Sequence, residues 1–307
     1  MSKKTIADGV WPTMLTPYTL EGELDFAALE KLIDWYAEQG AAGLFAVCQS
    51  SEMFFLSKRE RVDLAKACVK FSAGRLPVIA SGHVADSATD QLEEARMMAD
   101  SGVDAVVLIT NRFAQKQDSD DVFKRNLEHF LTGMPESVLL GFYECPFPYK
   151  RLLNPELMKF ALQSGRFAFL KDTSCNMGDI KAKLKVTEGS GFKLFNANAA
   201  TLLDSLKAGA AGYSGVMANF HTKLYAWLCK HWQTNAEKAS ALQDFLGTTS
   251  LIEGQLYPIN AMYALSGEGV PIQLKSRRAD VTGFSVGMKA EVEQLMRLSQ
   301  REIKRLG

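Results

Sequence analysis

The stretch Phe167-Ala168-Phe169-Leu170-Lys171-Asp172-Thr173-Ser174 is the clearest of several places where a short apolar run ends in a polar loop. Such a run predicts a buried strand, and Lys171 stands where that strand meets its loop. A buried ammonium group without a partner tends to lose its proton, and a neutral amine near pH 7 is the nucleophile that carbonyl substrates require. The alternative is a lysine whose ammonium group reaches solvent from the strand end.

Seven similar runs accompany this one and predict eight strands in total. They span residues 10–15, 43–48, 77–81, 105–110, 138–143, 167–171, 192–195 and 212–216. Between them the apolar residues recur with helical period, and several of these helices end at glycine. The glycines at these ends are Gly40, Gly102, Gly165 and Gly209.

The spacing of the strands decides how they pair. Consecutive strand starts lie too far apart for hairpins and far enough apart for a helical crossover, so the sheet must be parallel. Eight β-α units predict an α/β protein with a (β/α)8 TIM barrel. An open doubly wound sheet is the alternative, but no G-x-G-x-x-G follows the first strand.

The chain divides into two parts of one expected structural unit. Residues 1–220 are predicted to hold the strands and helices of the barrel. From 221 to 307 the sequence is predicted to form only helices, namely the last barrel helix and a C-terminal helical appendage. This appendage is expected to pack on the barrel or on a neighbouring subunit.

Composition excludes several classes of function. The 307 residues are 47% hydrophobic, and 35 Lys and Arg balance 35 Asp and Glu. Balanced charge disfavours nucleic-acid and membrane partners. No long apolar stretch follows Met1-Ser2-Lys3-Lys4, and no run approaches the ~20 residues of a membrane span. We therefore expect a soluble, cytoplasmic protein.

Cysteine and histidine positions argue against metal and disulfide sites. The five cysteines are odd in number, scattered and never in a C-x-x-C pair, and the four histidines are dispersed. Reduced thiols are therefore expected, and no metal cofactor is implied.

Three polar clusters are predicted at the carboxyl ends of the strands, where barrels of this type carry their reactive groups. Strand 2 ends in Cys48-Gln49-Ser50-Ser51-Glu52, strand 5 in Tyr143-Glu144-Cys145-Pro146, and strand 6 in Lys171 and its loop. Tyr143 and Lys171 fall on adjacent strands, whose backbones lie about 4.8 Å apart. A phenol beside a neutral amine can move protons during reactions of an imine.

In these motifs the chain resembles the dihydrodipicolinate synthase and N-acetylneuraminate lyase family, without matching either named enzyme closely. The resemblance extends in order over nearly the whole chain. Its motifs are Thr16-Pro17-Tyr18, Gln49-Ser50-Ser51-Glu52, Tyr143-x-x-Pro146, Leu170-Lys171-Asp172-Thr173-Ser174, Gly212-Tyr213-Ser214-Gly215-Val216 and Ala218-Asn219.

The resemblance implies a lyase in which a lysine forms a Schiff base with pyruvate or another 2-keto acid. Lys171 would be that lysine and Tyr143 the proton shuttle. Ser50 and the backbone amides around it would hold the carboxylate, and Ser214 would line the pocket. Gln49 would also contact substrate, and it stands where the family has a hydroxyl residue that relays protons. No cofactor beyond the covalent imine is implied, and a homotetramer or homodimer is expected.

Departures from the family pattern bear on the substrate. Members that make dihydrodipicolinate carry an arginine shortly after the tyrosine motif, where this chain has Pro148 followed by Lys150 and Arg151. They also use a tyrosine after strand 4, where this chain has Asn111-Arg112-Phe113. Sialate-cleaving members place acidic residues after strand 7, where 196–200 offers amides and alanines. Neither lysine biosynthesis nor sialic acid cleavage is therefore expected.

Four further polar residues carry open alternatives. His83 either reaches the mouth of the barrel or is an exposed loop histidine, and the second interpretation is preferred. Arg112 either binds a distal carboxylate or lies in a subunit contact. Glu52 and Asp172 are either a functional carboxylate pair or, as preferred here, anchors for their own loops.

The sequence thus predicts a class I aldolase or dehydratase acting on a 2-keto-3-deoxy sugar acid or a related compound. A keto-acid-binding regulatory barrel without turnover is the alternative, motivated by Gln49. A phosphosugar barrel, which needs a glycine-rich phosphate loop after strands 7 and 8, is a third possibility, since Gly209, Gly212 and Gly215 are present in that region. That third hypothesis leaves the pairing of Lys171 with Tyr143 unexplained.

Overall fold

A computed structural model describes residues 6–307 and contains eight parallel strands in one sheet. The Met1-Ser2-Lys3-Lys4 segment considered above lies outside the described residues. The strands are β1 (Gly9–Val10), β2 (Leu44–Phe45), β3 (Val78–Ala80), β4 (Ala105–Ile109), β5 (Leu140–Tyr143), β6 (Phe167–Asp172), β7 (Lys193–Asn196) and β8 (Gly212–Tyr213).

The sheet curls until its two edges meet. Its order is β1-β8-β7-β6-β5-β4-β3-β2. Beyond β1, a parallel bridge joins Thr13 to Phe45, and the Met14 amide donates to the Phe45 carbonyl at 3.0 Å. These contacts connect the first strand to the second, so the predicted (β/α)8 barrel is confirmed and the open sheet is excluded.

Close backbone approach also shapes the junction between β1 and β8. A Cβ atom added at Gly212 would lie 1.8 Å from the carbonyl oxygen of Gly9, so only glycine fits there. Several ladders are shorter than the predicted apolar runs, as for β1 and β2, which have two residues each. Past these ladders the chain bends into the loops of the barrel mouth.

Helices follow the strands as the apolar period predicts. They are α1 (Phe26–Glu38), α2 (Lys58–Ser72), α3 (Ala88–Asp100), α4 (Asp120–Gly133), α5 (Pro155–Gln163), α6 (Met177–Thr187), α7 (Leu202–Lys207), α8 (Ala218–His231), α9 (Ala236–Thr249), α10 (Ile259–Gly267) and α11 (Val286–Leu306). The glycines predicted after helices all have positive φ: Gly40 (82°), Gly102 (90°), Gly165 (66°) and Gly209 (103°). Among the described residues, no helix is both long and apolar enough to cross a membrane.

The C-terminal region differs from the prediction that it contains only helices. Helix α8 packs on β1, and α10 and α11 pack on α8, so the last helices share the hydrophobic core of the barrel. Between α10 and α11, residues 268–285 are irregular except for one 3₁₀ turn, Val281–Gly283. This segment reaches the barrel mouth and contacts Glu52, as described below.

Candidate active site

A cavity of about 210 Å³ lies at the carboxyl ends of the strands. It contains four of the five predicted site residues, and the exception is Ser214. The lining consists of Gln49, Ser50, Tyr143, Pro146, Lys171, Thr173, Ala197, Gly215, Val216, Glu253, Tyr257 and Arg278.

Lys171 is buried beside aromatic rings. It is 5% exposed and lies in register with Tyr143 on the adjacent strand. Its Nζ atom is 4.4 Å from the centroid of the Tyr143 ring and 5.4 Å from that of Phe45. Within residues 6–307 it forms no ion pair, and burial lowers the pKa of its amine to about 8. The alternative of a solvent-exposed lysine is therefore wrong, and a useful fraction of the amine is neutral near pH 7.

Tyr143 is also buried, and its hydroxyl donates a hydrogen bond to Oε1 of Gln49 at 3.3 Å. The thiol of Cys145 donates to the same oxygen at 3.6 Å. Burial raises the pKa of the Tyr143 phenol well above its usual value, so the phenol keeps its proton at neutral pH. The amide oxygen of Gln49 accepts hydrogen bonds but has no proton to pass on. The bond to Gln49 thus orients the phenol beside Lys171.

Ser50 is joined to a hydrogen-bond network on the other side of the cavity. Its hydroxyl donates to Oγ1 of Thr13 at 3.2 Å. Nδ2 of Asn219 donates to the Thr13 carbonyl at 2.9 Å and to the hydroxyl of Tyr257 at 3.0 Å. Asn219 is fully buried, so these bonds exchange little with water. The network fixes two polar groups of the lining, the hydroxyls of Ser50 and Tyr257.

The structure does not bring Ser214 into the lining. Its side chain is 2% exposed, and its hydroxyl donates to the carbonyl of Trp11 at 2.9 Å, which ties β8 to β1. The next two residues, Gly215 and Val216, line the cavity instead. A Cβ atom at Gly215 would lie 2.2 Å from the hydroxyl of Tyr213, so glycine is required at this part of the wall.

Three lining residues were not singled out from the sequence. Glu253, Tyr257 and Arg278 come from the region after α9, far along the chain from the strand ends. The 3₁₀ turn Ser250–Gly254 and the irregular segment before α11 carry the first and last of them. No local sequence pattern predicts these contacts, because they depend on where the C-terminal region folds back over the mouth of the barrel.

Glu52 has a different role from the predicted one. Its Oε2 accepts hydrogen bonds from the backbone amides of Arg277 and Arg278, both at 2.8 Å, and from the hydroxyl of Ser276 at 3.0 Å. It therefore anchors a distant segment rather than its own loop. Asp172, in contrast, does anchor its own loop as preferred, since it accepts from the amide and hydroxyl of Ser174 at 2.9 and 2.6 Å.

A second buried cluster lies directly behind the cavity. Nζ of Lys183, on α6, is 2.6 Å from a carboxylate oxygen of Glu144 and 2.6 Å from one of Asp172. Glu144 also accepts from the amides of Leu153 at 2.8 Å and Thr173 at 3.1 Å. Burial raises the pKa of the Glu144 carboxyl, and the Lys183 ammonium opposes that rise. The cluster connects the ends of β5 and β6 to helix α6.

His83 and Arg112 do not reach the cavity. His83 is fully buried and packs against the rings of Phe113 and Phe130, with centroid distances of 5.1 and 5.4 Å, so the preferred interpretation as an exposed loop histidine is wrong. Burial lowers the pKa of the His83 imidazole to about 3. Arg112 forms an ion pair with Asp86 at 2.7 Å. Within residues 6–307, no group of three His, Cys, Asp or Glu side chains is arranged to hold a metal ion.

One family of known proteins is similar to this chain in sequence and in fold. Residues 7–297 match the Dihydrodipicolinate synthetase family. A 4-hydroxy-tetrahydrodipicolinate synthase from Saccharophagus degradans is 28% identical over 295 residues, which cover 94% of this chain and 97% of that protein. One from a Shewanella species is 25% identical over 293 residues, which cover 95% and 97% of the two chains.

Solved structures agree in fold. YagE, a prophage protein of the dihydrodipicolinic acid synthase family from E. coli in complex with pyruvate, superposes with a TM-score of 0.84 at 22% identity and covers 96% of this chain and 98% of its own. The chloride-inhibited dihydrodipicolinate synthase of Acinetobacter baumannii, also with pyruvate, gives 0.85 at 20% identity, covering 96% and 99%. The family match extends over nearly all of the described residues, and the chain belongs to the dihydrodipicolinate synthetase family.

Proposed function

We propose that this protein is a class I lyase in which Lys171 forms a Schiff base with a 2-keto acid. The observation that carries the proposal is the buried amine of Lys171, which has no ion pair among residues 6–307 and lies 4.4 Å from the ring centroid of Tyr143. Its lowered pKa, about 8, supplies the neutral nucleophile that imine formation requires. Pyruvate bound to two proteins of the same fold supports a 2-keto acid as ligand.

The proposed reaction uses the amine of Lys171 and the phenol of Tyr143. The neutral amine of Lys171 attacks the ketone carbon, and the hydroxyl of the resulting carbinolamine takes up a proton and leaves as water, which gives a protonated imine. In retro-aldol cleavage, the bond between C3 and C4 breaks, its electron pair moves to the imine as an enamine, and the C4 hydroxyl gives up its proton as the aldehyde leaves. The enamine then takes a proton at C3, and water hydrolyses the imine. Tyr143 is the proton carrier in this scheme.

Dehydration of a 2-keto-3-deoxy acid uses the same imine. A proton leaves C3, and the hydroxyl group at C4 departs as water after protonation. The electron sink is identical in both reactions, so the Lys171 imine supports either one. The pathway needs no cofactor, and we propose a cytoplasmic homotetramer or homodimer as the working form, in line with the family resemblance.

Synthesis of 4-hydroxy-tetrahydrodipicolinate, the activity in the names of the relatives, is a less favoured candidate. The arginine expected after the tyrosine motif for a second carboxylate is replaced by Pro148. Arg151, the next arginine along the chain, forms an ion pair with Asp120 at 3.0 Å. In such a synthase, a different cation would have to bind the second carboxylate.

Reductive trapping tests the proposal. Incubation with pyruvate and sodium borohydride should attach one reduced pyruvyl group to the peptide that contains Lys171, detected by mass spectrometry. Lys171→Met should give no adduct, whereas Lys207→Met, which changes an exposed lysine on α7 outside the lining, should be trapped like the native protein. An unmodified Lys171 peptide under saturating pyruvate contradicts the proposal.

A keto-acid-binding regulatory barrel is the second candidate, and the contact between Tyr143 and Gln49 favours it. A phenol that donates to an amide oxygen has no relay behind it, which would slow proton transfer. Exchange of the pyruvate methyl protons for deuterium, followed by NMR, separates the two functions. A lyase should exchange them, and Tyr143→Phe should slow the exchange by about 10²- to 10⁴-fold while trapping persists. Trapping without exchange by the native protein indicates the regulatory function.

A further inference from the structure

Two cations near the cavity mouth, Lys150 and Arg151, are already bound to protein groups. Nζ of Lys150 donates to the carbonyl of Thr173 at 2.7 Å. Arg151 pairs with Asp120, and its guanidinium also donates to the carbonyl of Gln115 at 2.8 Å. These side chains hold the loops after β4, β5 and β6 in place. Neither of the two cations is free to bind a substrate anion.

Arg278 differs from them and from its own neighbour. The guanidinium of Arg277 is 2.6 Å from Oε1 of Glu60 and donates to the carbonyl of Gly22 at 2.9 Å. Arg278 lines the cavity, and its guanidinium forms no ion pair and no side-chain hydrogen bond with any of the residues 6–307. Among residues 6–307, it is the one arginine in the lining of the cavity that contains Lys171.

The backbone beneath Arg278 is fixed, although its side chain is unpaired. The amide of Arg278 donates to the carboxylate of Glu52 at 2.8 Å and to the hydroxyl of Ser276 at 3.0 Å. Glu52 is 1% exposed and lies in the same loop as Ser50. The buried carboxylate therefore couples the segment of Arg278 to the loop that holds one side of the cavity. The backbone position of Arg278 is therefore fixed, while its exposed side chain leaves the guanidinium free to pair with an anion.

We propose that Arg278 binds a second carboxylate at the tail of the substrate, so that the substrate class is dicarboxylic 2-keto acids. This inference rests on the proposed function, because the imine with Lys171 fixes the other end of the molecule. A guanidinium binds a carboxylate through two parallel hydrogen bonds, which gives direction as well as affinity. Glu253 also lies in the lining. Its carboxylate would repel a substrate carboxylate placed beside it and can accept hydrogen bonds from substrate hydroxyl groups. The favoured substrates are thus 2-keto-3-deoxy sugar diacids.

Two matched pairs of keto acids test this inference without knowledge of the natural substrate. 2-Oxoglutarate and 2-oxopentanoate differ in the terminal carboxylate, as do 2-oxoadipate and 2-oxohexanoate at one more carbon. The half-saturating concentration of each acid for borohydride trapping at Lys171 is measured in the native protein, Arg278→Gln and Lys275→Gln. Lys275 is a cation of the same segment outside the lining and serves as the control.

In the native protein, at least one diacid should saturate at a lower concentration than the monocarboxylic acid of the same length. Arg278→Gln should weaken the binding of that diacid by about 10- to 100-fold and leave the monocarboxylic acids within about twofold, whereas Lys275→Gln should change neither. The backbone contacts to Glu52 survive the substitution, since they use the amide of residue 278. Equal saturation within both pairs in the native protein, or equal weakening of diacids and monocarboxylic acids by Arg278→Gln, overturns the inference. Absence of trapping with every acid, pyruvate included, overturns the proposed function instead.

Discussion

Lys171, on β6, and Lys183, on the following helix α6, are both buried, yet their surroundings shift the pKa values of their amines in opposite directions. Nζ of Lys171 faces aromatic rings, and burial lowers the pKa of its amine to about 8. Nζ of Lys183 lies 2.6 Å from carboxylate oxygens of both Glu144 and Asp172, and these charges outweigh burial and raise its pKa. Burial alone therefore does not make a lysine nucleophilic. Whether a carboxylate lies beside the ammonium group decides whether the pKa of the buried lysine falls or rises.

The two environments arise from one feature of β-structure. Successive side chains of a strand point to opposite faces, so Tyr143 and Lys171 face the cavity while the residues that follow them, Glu144 and Asp172, face helix α6. The two carboxylates are held on Lys183 and kept away from Lys171. One pair of strand ends thus forms both the proposed reactive site and the charged cluster beside it.

The largest expected effect comes from removal of the paired lysine. Lys183→Met leaves two buried carboxylates without a counter-ion, which should lower the free energy of unfolding by about 3–5 kcal/mol at pH 7. Urea denaturation followed by circular dichroism measures the change. The loss should shrink as the pH falls below about 7, because burial raises the pKa of the Glu144 carboxyl to about 7 and the protonated group needs no counter-ion.

A neutral version of the cluster provides the control. Lys183→Met combined with Glu144→Gln and Asp172→Asn removes all three charges, and much of the lost stability should return. If Lys183→Met is as stable as the native protein, the cluster does not stabilise the strand ends. The proposed difference between the paired Lys183 and the unpaired Lys171 is then contradicted.

Removal of the unpaired lysine, Lys171, should change the free energy of unfolding in the opposite direction. A pKa lowered from 10.5 to about 8 means that the folded protein pays up to about 3 kcal/mol to keep Lys171 charged at pH 7. Lys171→Met should therefore raise the free energy of unfolding, up to that amount, while abolishing trapping. Because the unfolded chain binds this proton up to pH 10.5, the native protein regains stability as the pH rises from about 8 to 10.5, and the advantage of the variant should disappear over that window.

Denaturation of the two proteins at pH 7 and at pH 10 measures this effect. Lys207→Met, a variant of an exposed lysine on α7 outside the cavity, is the reference for nonspecific changes. A Lys171→Met protein that is less stable than the native one at pH 7 would show that the amine is not held at an energetic disadvantage.

The smallest effect is on the pH dependence of imine formation. The rate of borohydride trapping with saturating pyruvate should rise about tenfold per pH unit below the pKa of Lys171 and level off above pH 8. The rise reflects the growing fraction of neutral amine. Rapid-quench mass spectrometry at several pH values measures the profile, with Lys171→Met as the blank. A rate that continues to increase to pH 10 indicates an ordinary lysine.

The fold was largely predictable from sequence because its determinants are local. Apolar runs, helical periodicity and glycines such as Gly102 and Gly165 act over a few residues, and the parallel arrangement follows from the spacing alone. The site was predictable in part, since Lys171 and Tyr143 end neighbouring strands and a barrel brings strand ends together. The position of Ser214 was not, because its hydroxyl turns toward the β1 backbone.

Long-range contacts account for the other differences. Glu52 holds residues more than two hundred positions away, and His83 is covered by the aromatic side chains that follow β4. Neither residue carries a local pattern that distinguishes a buried partner from a solvent-exposed loop. Arg278 likewise enters the cavity through a segment whose sequence predicts nothing about its destination.

The sequence by itself determined the barrel and the pair of groups, an amine and a phenol, at adjacent strand ends, because strand alternation and spacing are properties of the local chain. Only the tertiary structure decided which buried lysine stays unpaired, since the carboxylates that neutralise Lys183 approach it from two strands and leave Lys171 among aromatic rings. Electrostatic environment depends on distances between residues remote in sequence, and those distances exist only once the chain has folded.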